Sequence, residues 1–306
     1  LMRAFPGTEI LIGIGLAMAI YGVVYAALEN DIRRLIAFAI VSQMGIKVAG
    51  VGIGTPLALN GVAAHSAAAG IYPALLVMAA GTGVRQTGKR KATDLGGLPG
   101  AMPLTALCCI VGALSIAAFP LTSGFVSKSM IIDAAAQEHL TAPWVLLMAA
   151  SAGAVLHAGL RLPWLVFFAA PRAPVAATVT DPPQFMRLAM MLAAVICLLA
   201  GIGPDGLYAL LPQQVAYVPY SASHVVVQLQ LLGFAALALW LMSDLLRPHA
   251  GVTLDFDWLY RRPGAWLVRG FDDVTDTAWR WIVSSVNWKA SRFQGRLRRH
   301  YTPDGT

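Results

Sequence analysis

The chain has 306 residues, of which 58% are hydrophobic and only 12% charged, with a mean hydropathy of +0.67. Soluble proteins carry about 25% charged residues, so a soluble enzyme or binding domain is excluded and an all-α, polytopic transmembrane helix bundle is implied. The net charge of +7 does not point to nucleic acid, because the basic residues collect in loops between apolar runs and in the C-terminal tail.

The chain opens at Leu1 with no basic segment and cleavage site after it. The expectation is therefore a piece of a longer protein with no signal peptide to remove. Seven apolar runs follow, each near the ~20 residues that a bilayer requires: 9–28, 33–54, 57–83, 104–138, 143–169, 187–211 and 222–246. The first two are joined by a short polar link and the next pair by the tight Gly54-Thr55-Pro56 turn. The fourth run is too long for one straight helix and short for two. Taken as one broken crossing, it puts every Lys and Arg except Arg3, Lys47, Lys128 and Arg161 on the same side. The loops at 54–56, 138–143 and 204–222 then contain neither Lys nor Arg. Taken as two crossings, it would export the basic tail. The positive-inside rule selects one broken crossing and makes the basic side, tail included, cytoplasmic.

Residues 1–246 thus read as a transmembrane bundle and 247–306 as a basic cytoplasmic tail. In the tail, Leu267, Phe271, Val274, Ala278, Ile282, Val286, Phe293 and Leu297 recur every three to four residues among four tryptophans and many cations. That pattern predicts an amphipathic helix over 264–300 lying on anionic lipid headgroups. Docking against a partner subunit is the alternative; a calmodulin-type target or a nucleic-acid arm shares only the composition. There is no internal repeat and no low-complexity segment. Cys108, Cys109 and Cys197 lie in apolar runs without a C-x-x-C partner and read as packing residues. No metal, flavin, Fe–S or nicotinamide site is expected, so any redox chemistry would belong to partner subunits.

Candidate chemistry rests on ionisable groups inside the spans. Lys128 occupies A-A-F-P-L-T-S-G-F-V-S-K-S, residues 117–129, where Pro120 and Gly124 interrupt the helix. A cation in mid-span costs roughly 2.5–3.5 kcal/mol on insertion scales. Broken helices are tolerated in membranes where they line wet, protein-walled cavities. Lys47 and His65 fall at similar depth on neighbouring helices, with Gln43 one turn before Lys47. His157 lies one turn before Arg161, and Asp133 is the acidic group nearest Lys128, a candidate exit or ion-pair partner. Lys, His and bridging water can pass protons without a carboxylate. Structural readings stand beside this one: Lys47 snorkelling or paired, His65 bonded to a neighbouring carbonyl, and His157 with Arg161 as a structural or headgroup contact.

These same residues carry a resemblance. Asp31-Ile32-Arg33-Arg34-Leu35-Ile36-Ala37-Phe38 with Ser42-Gln43-Met44-Gly45 resembles the D-x-K-R-L-x-A-Y…S-x-x-G signature of antiporter-like subunits. So do Asp94-Leu95-Gly96-Gly97-Leu98 with Met102-Pro103, and the stretch from Gly112 through Phe119-Pro120 to Ser127-Lys128. The family comprises the proton-translocating membrane subunits of respiratory complex I and of Mrp-type Na+/H+ antiporters. The tail motif Leu254–Arg262 resembles the end of subunit-D-like members, and the similarity runs from about Leu1 to Arg262. The resemblance implies a bundle of two inverted five-helix repeats, this chain being the second repeat plus trailing helices. It also implies Lys128 as the lysine of the second broken helix, at an outward half-channel.

One departure stands out: where the family reads H-x-x-x-H-x-x-x-K, this chain has His65, Ala69 and Pro73. Two relay links are missing, and Lys47 stands where the family has an apolar residue. The expectation is that Lys47 with His65 replaces the lost links and feeds Lys128. The functional expectation is a subunit of a multisubunit H+-translocating complex in the cell inner membrane. It is D-like in a monovalent cation/H+ antiporter, with Na+ or K+ as the candidate counter-ion and other membrane subunits as partners. The alternatives are a non-conducting scaffold and a membrane-arm subunit of an NADH-quinone oxidoreductase-like complex.

Overall fold

The computed structural model describes residues 9–170, 179–214, 217–242 and 263–301, the last seven of these as backbone only. Arg3, Arg172, Arg247 and the Leu254–Arg262 motif lie outside the described residues. Two compact units divide the chain, 1–251 and 252–306.

Unit one is a helical bundle. Its helices are α1 (Ile10–Leu28), α2 (Ile32–Ile53), α3 (Pro56–Thr87), α4 (Pro103–Ile116), α5 (Ser123–Gln137), α6 (Thr141–Phe168), α7 (Gln184–Ile202), the short α8 (Pro204–Tyr208) and α9 (Ala222–Leu241). Six of these are long and apolar enough to cross a membrane, and α4 with α5 makes a further, interrupted passage. Among the described residues the only extended pairing is a single bridge between Asp31 and Lys91.

Local chemistry explains the boundaries. Asp31 caps α2 by accepting from the Arg33 and Arg34 amides at 2.9 and 3.4 Å. Gly54 ends that helix at φ +70°, and Thr55 accepts from Ala58 N at 3.2 Å to start α3, with Pro56 in its first turn. Helix α3 stays continuous through Pro73, and it runs past the expected end at 83 to Thr87. The run expected at 187–211 is shorter as a helix, because Gly203-Pro204 ends α7 and starts α8. Helix α6 winds as a π-helix over Val155–Arg161 and Trp164–Phe168.

Hydrogen bonds between loops establish the bundle's two ends. Ile32 N donates to Arg90 O, Leu98 N to Phe167 O, and Leu104 and Thr105 N to the Asp181 carboxylate. The basic loops after α1 and α3 therefore meet the end of α6 and the approach to α7. At the other end Asn60 and Gln213 exchange two hydrogen bonds, of 3.1 and 3.3 Å. Since α4 starts at the basic end and α5 leads into α6 at the opposite end, residues 103–137 make one broken passage.

Helices α1 and α2 pack backbone to backbone. A methyl group at Gly15 or Gly45 would overlap the other helix's main chain, so small residues permit the contact. Exposed apolar surface is extensive on α7 and α9, including Leu192, Leu199, Phe234 and Trp240. Unit two contains α10 (Ala265–Tyr301), along which Asp272, Asp273 and Asp276 precede Lys289 and Arg292.

Candidate functional site

The break between α4 and α5 spans Ala117–Thr122 and contains Pro120. Ala118 and Leu121 both take left-handed backbone, at φ +56° and +72°. Each costs about 1–3 kcal/mol in a residue other than glycine and persists only where its surroundings enforce it. Here they do. Helix α7 brings Gly201 against Leu121 and Thr122, and α6 brings Gly159 against Ala117. Tyr220 donates to Gly201 O, and Tyr208 to Val126 O at 2.8 Å. Gly124 is not in the break: it sits in the first turn of α5, where any Cβ would overlap the Ser115 carbonyl oxygen.

Breaking a helix frees carbonyls that hydrocarbon cannot satisfy. Lys128 Nζ donates to Ile116 O, the last residue of α4, at 2.8 Å. Gln228 of α9 donates to Ala117 O at 3.2 Å. Lys128 is 1% exposed, and among the described residues its ammonium makes no ion pair. It is a cation held by the negative end of a helix.

On one side of Lys128 lies a line of hydrogen-bonding groups. Ser127 Oγ donates to Ser123 O at 2.7 Å, which leaves its lone pairs for His65 Nδ1–H at 3.0 Å. Nε2 of His65 then carries a lone pair, and the Tyr72 hydroxyl stands 3.4 Å from it and 3.4 Å from Gln43 Oε1, with one proton to give to either. Side chains of α5, α3 and α2 are thereby linked across the interior. His65 lies within electrostatic reach of both Lys128 and Lys47, and Lys47 is half-buried on α2 one turn from Gln43. Gln43 Nε2 and Ser123 Oγ are buried without a protein partner. Such groups cost about 1–3 kcal/mol unless water reaches them.

On the other side is a cavity of about 250 Å³ walled by α5, α6 and α9. Lys128, Ser129, Asp133, His224 and Gln228 line it, with Trp144 and Met148 of α6. Asp133 shares this cavity with Lys128 but makes no salt bridge to it within 4 Å. His157 stands apart from the line. It is buried with Nδ1 lacking a protein partner, one π-helical turn from Arg161, which donates to Ala26 O and Ala27 O at 3.4 and 2.7 Å and so caps α1.

Sequence reasoning missed Ser127, Tyr72, His224 and Gln228 as members of this site. A signal existed for the last two, spaced four apart at the start of an otherwise apolar run, but nothing in the sequence said which helix they face.

Residues 7–156 match the sequence profile described as "NADH:quinone oxidoreductase/Mrp antiporter, TM". A protein of Rhizobium meliloti named as a probable K(+)/H(+) antiporter component is 33% identical over 216 residues, covering 67% of this chain and 22% of that one. NADH-ubiquinone oxidoreductase chain 5 of Bos indicus is 33% identical over 48% of this chain and 25% of its own. The chain thus spans about a quarter of these relatives' length. Among solved structures, the Mrp complex from Dietzia sp. DQ12-45-1b superposes with a TM-score of 0.69 at 21% identity, over 94% of this chain and 34% of that one. At that identity the likeness establishes the fold.

Proposed function

The chain belongs, through residues 7–156, to the NADH:quinone oxidoreductase/Mrp antiporter family of multi-pass membrane proteins, and from that premise we propose that it carries H+ within a multisubunit complex. The reading is a cation/H+ antiporter subunit, exchanging H+ for Na+ or K+. The R. meliloti relative's name supports the antiporter class. The subunit-D-like assignment rests on the resemblance of the tail motif alone. Partner membrane subunits are part of the proposal, since the superposed structure is that of a complex.

The observation that carries the reading is Lys128. Its buried ammonium is bonded to the freed carbonyl of Ile116, between the Ser127–His65–Tyr72–Gln43 line and a cavity that Asp133, His224 and Gln228 also line. Holding a cation there is costly, and a site that alternately holds and releases a proton can use that cost. Lys47 is proposed to stand in for the relay links lost at Ala69 and Pro73, feeding His65. By the positive-inside rule the basic end, with unit two, faces the cytoplasm. Helix α10 lies on headgroups, its Trp288 stacked under Arg292 at 3.9 Å. Asp133 and His157 remain candidate proton carriers, the first through the cavity and the second through its unpartnered nitrogen.

The test is Lys128→Ala in the complete complex, assayed in inverted vesicles for cation-driven H+ movement with Na+ and with K+. Transport should fall to background at unchanged subunit content. Undiminished transport would favour the second reading, a non-conducting scaffold, for which the losses at Ala69 and Pro73 speak. Dependence of H+ movement on quinone reduction rather than on Na+ or K+ would place the chain in an oxidoreductase-type complex.

A further inference from the structure

Helix α9 follows the residues matched by the family profile, and it forms one wall of the cavity beside Lys128. Almost all of α9 faces outward; Gln228 and Ala235 are its buried residues. Yet two of the groups that α9 turns inward are polar. Gln228 bonds the freed carbonyl of Ala117, and His224, one turn earlier, reaches the same cavity as Lys128.

Three contacts hold His224, two of them through its ring. Its backbone amide donates to Ser221 Oγ at 3.3 Å in the first turn of α9. The ring stands edge-on to Phe125 at 5.6 Å between centroids. Nδ1 lies 3.3 Å from the Tyr217 hydroxyl in the loop before α9. With Nδ1–H donating to Tyr217, the Nε2 lone pair is free to take a proton. Burial keeps the Tyr217 hydroxyl well above the usual tyrosine range, so it stays a neutral partner. The charged and titratable groups facing His224 are Lys128 and Asp133 of α5 and Tyr217 of the loop; α6 contributes Trp144 and Met148, which do not titrate. The cavity's 250 Å³ has room for several waters at about 30 Å³ each. The surrounding 204–222 segment carries no Lys or Arg to repel a departing proton.

We propose that His224 is the residue that discharges Lys128 across this cavity toward the end of the bundle opposite the basic loops. An N–H bond of the Lys128 ammonium breaks, cavity water relays the proton, and an N–H bond forms at His224 Nε2. The neutral amine and the imidazolium conserve charge, and the imidazolium then loses its proton to bulk water beside the 203–221 loop. Gln228 positions the break by holding Ala117, so that Lys128 keeps facing the cavity. The proposal rests on the H+-carrying reading of Lys128.

The experiment compares His224→Gln, His224→Glu and Lys128→Ala in the complete complex, in inverted vesicles, with H+ flux normalised to incorporated subunit. Gln keeps the size and hydrogen-bonding of the ring but carries no proton; Glu carries one. His224→Gln should lose at least about ten-fold in flux, and His224→Glu should recover much of it with a changed pH profile. Wild-type flux in His224→Gln, beside a dead Lys128→Ala, overturns the role of His224 and leaves that of Lys128 intact. Equal loss in the Gln and Glu variants makes His224 structural and also overturns it. Wild-type flux in Lys128→Ala removes the underlying reading itself.

Discussion

Lys128 is 1% exposed, and what holds it at the cavity's wall is a carbonyl rather than a carboxylate. A salt bridge would fix the charge permanently, whereas a single charge-assisted hydrogen bond of about 1.5–3 kcal/mol leaves the proton removable. Lys47 is the other lysine of the bundle interior, half-buried and within electrostatic reach of His65. Side chains on α2 lean toward its N-terminus, which carries the Lys47 amine from its Cα toward the depth of His65. Lys47→Met is expected to reduce H+ flux several-fold, with Lys47→Arg keeping more of it. Equal flux in Lys47→Met and wild type would return Lys47 to a structural role. Lys128, Lys47 and His65 were visible in the sequence because charge is rare in apolar runs. Ser127 and Tyr72 were not, since a serine or tyrosine in a membrane helix is ordinary until its partner is known.

Among the elements, the α4/α5 pair concentrates the strain. Two left-handed non-glycine residues are held by groups from α6, α7 and α9, so the break belongs to the whole bundle and not to Pro120 alone. Gly124 shows the difference between reading and structure. Its sequence position suggested a helix breaker, whereas its role is to let α5 pass the Ser115 carbonyl. Because that obstacle is main chain, neither side can yield. Gly124→Ala should therefore cost about 1–3 kcal/mol, seen as a lower thermal aggregation midpoint in detergent, and Gly124→Val should prevent accumulation. Gly70, with open space around its Cα, is the control: Gly70→Ala should leave the midpoint unchanged or raise it. Equal midpoints for Gly124→Ala and Gly70→Ala would refute this account of the crossing.

For the whole molecule, the loop bonds gather Arg33, Arg34, Arg85, Lys89, Arg90, Lys91 and Arg187 at one end, and the opposite loops are free of Lys and Arg. The asymmetry is worth about 1 kcal/mol per cation near an anionic leaflet, enough to fix orientation. Cys108, Cys109 and Cys197 are buried, so new cysteines report alone. In intact cells an impermeant maleimide should label Gln214→Cys and spare Lys91→Cys and Ser284→Cys. Labelling of Ser284→Cys from outside would place unit two on the wrong side in this reading.

Sequence alone determined that the chain is a membrane bundle with one interrupted passage, and which buried charges it must accommodate. Those facts follow from hydropathy, span length and the distribution of Lys and Arg, which act locally along the chain. The tertiary structure decided what Lys128 touches, that α9 walls one side of its cavity, and that Arg161 caps α1 rather than joining the line. Those depend on which faces meet between helices tens to more than a hundred residues apart, and helical periodicity tells where a face lies but not what it packs against.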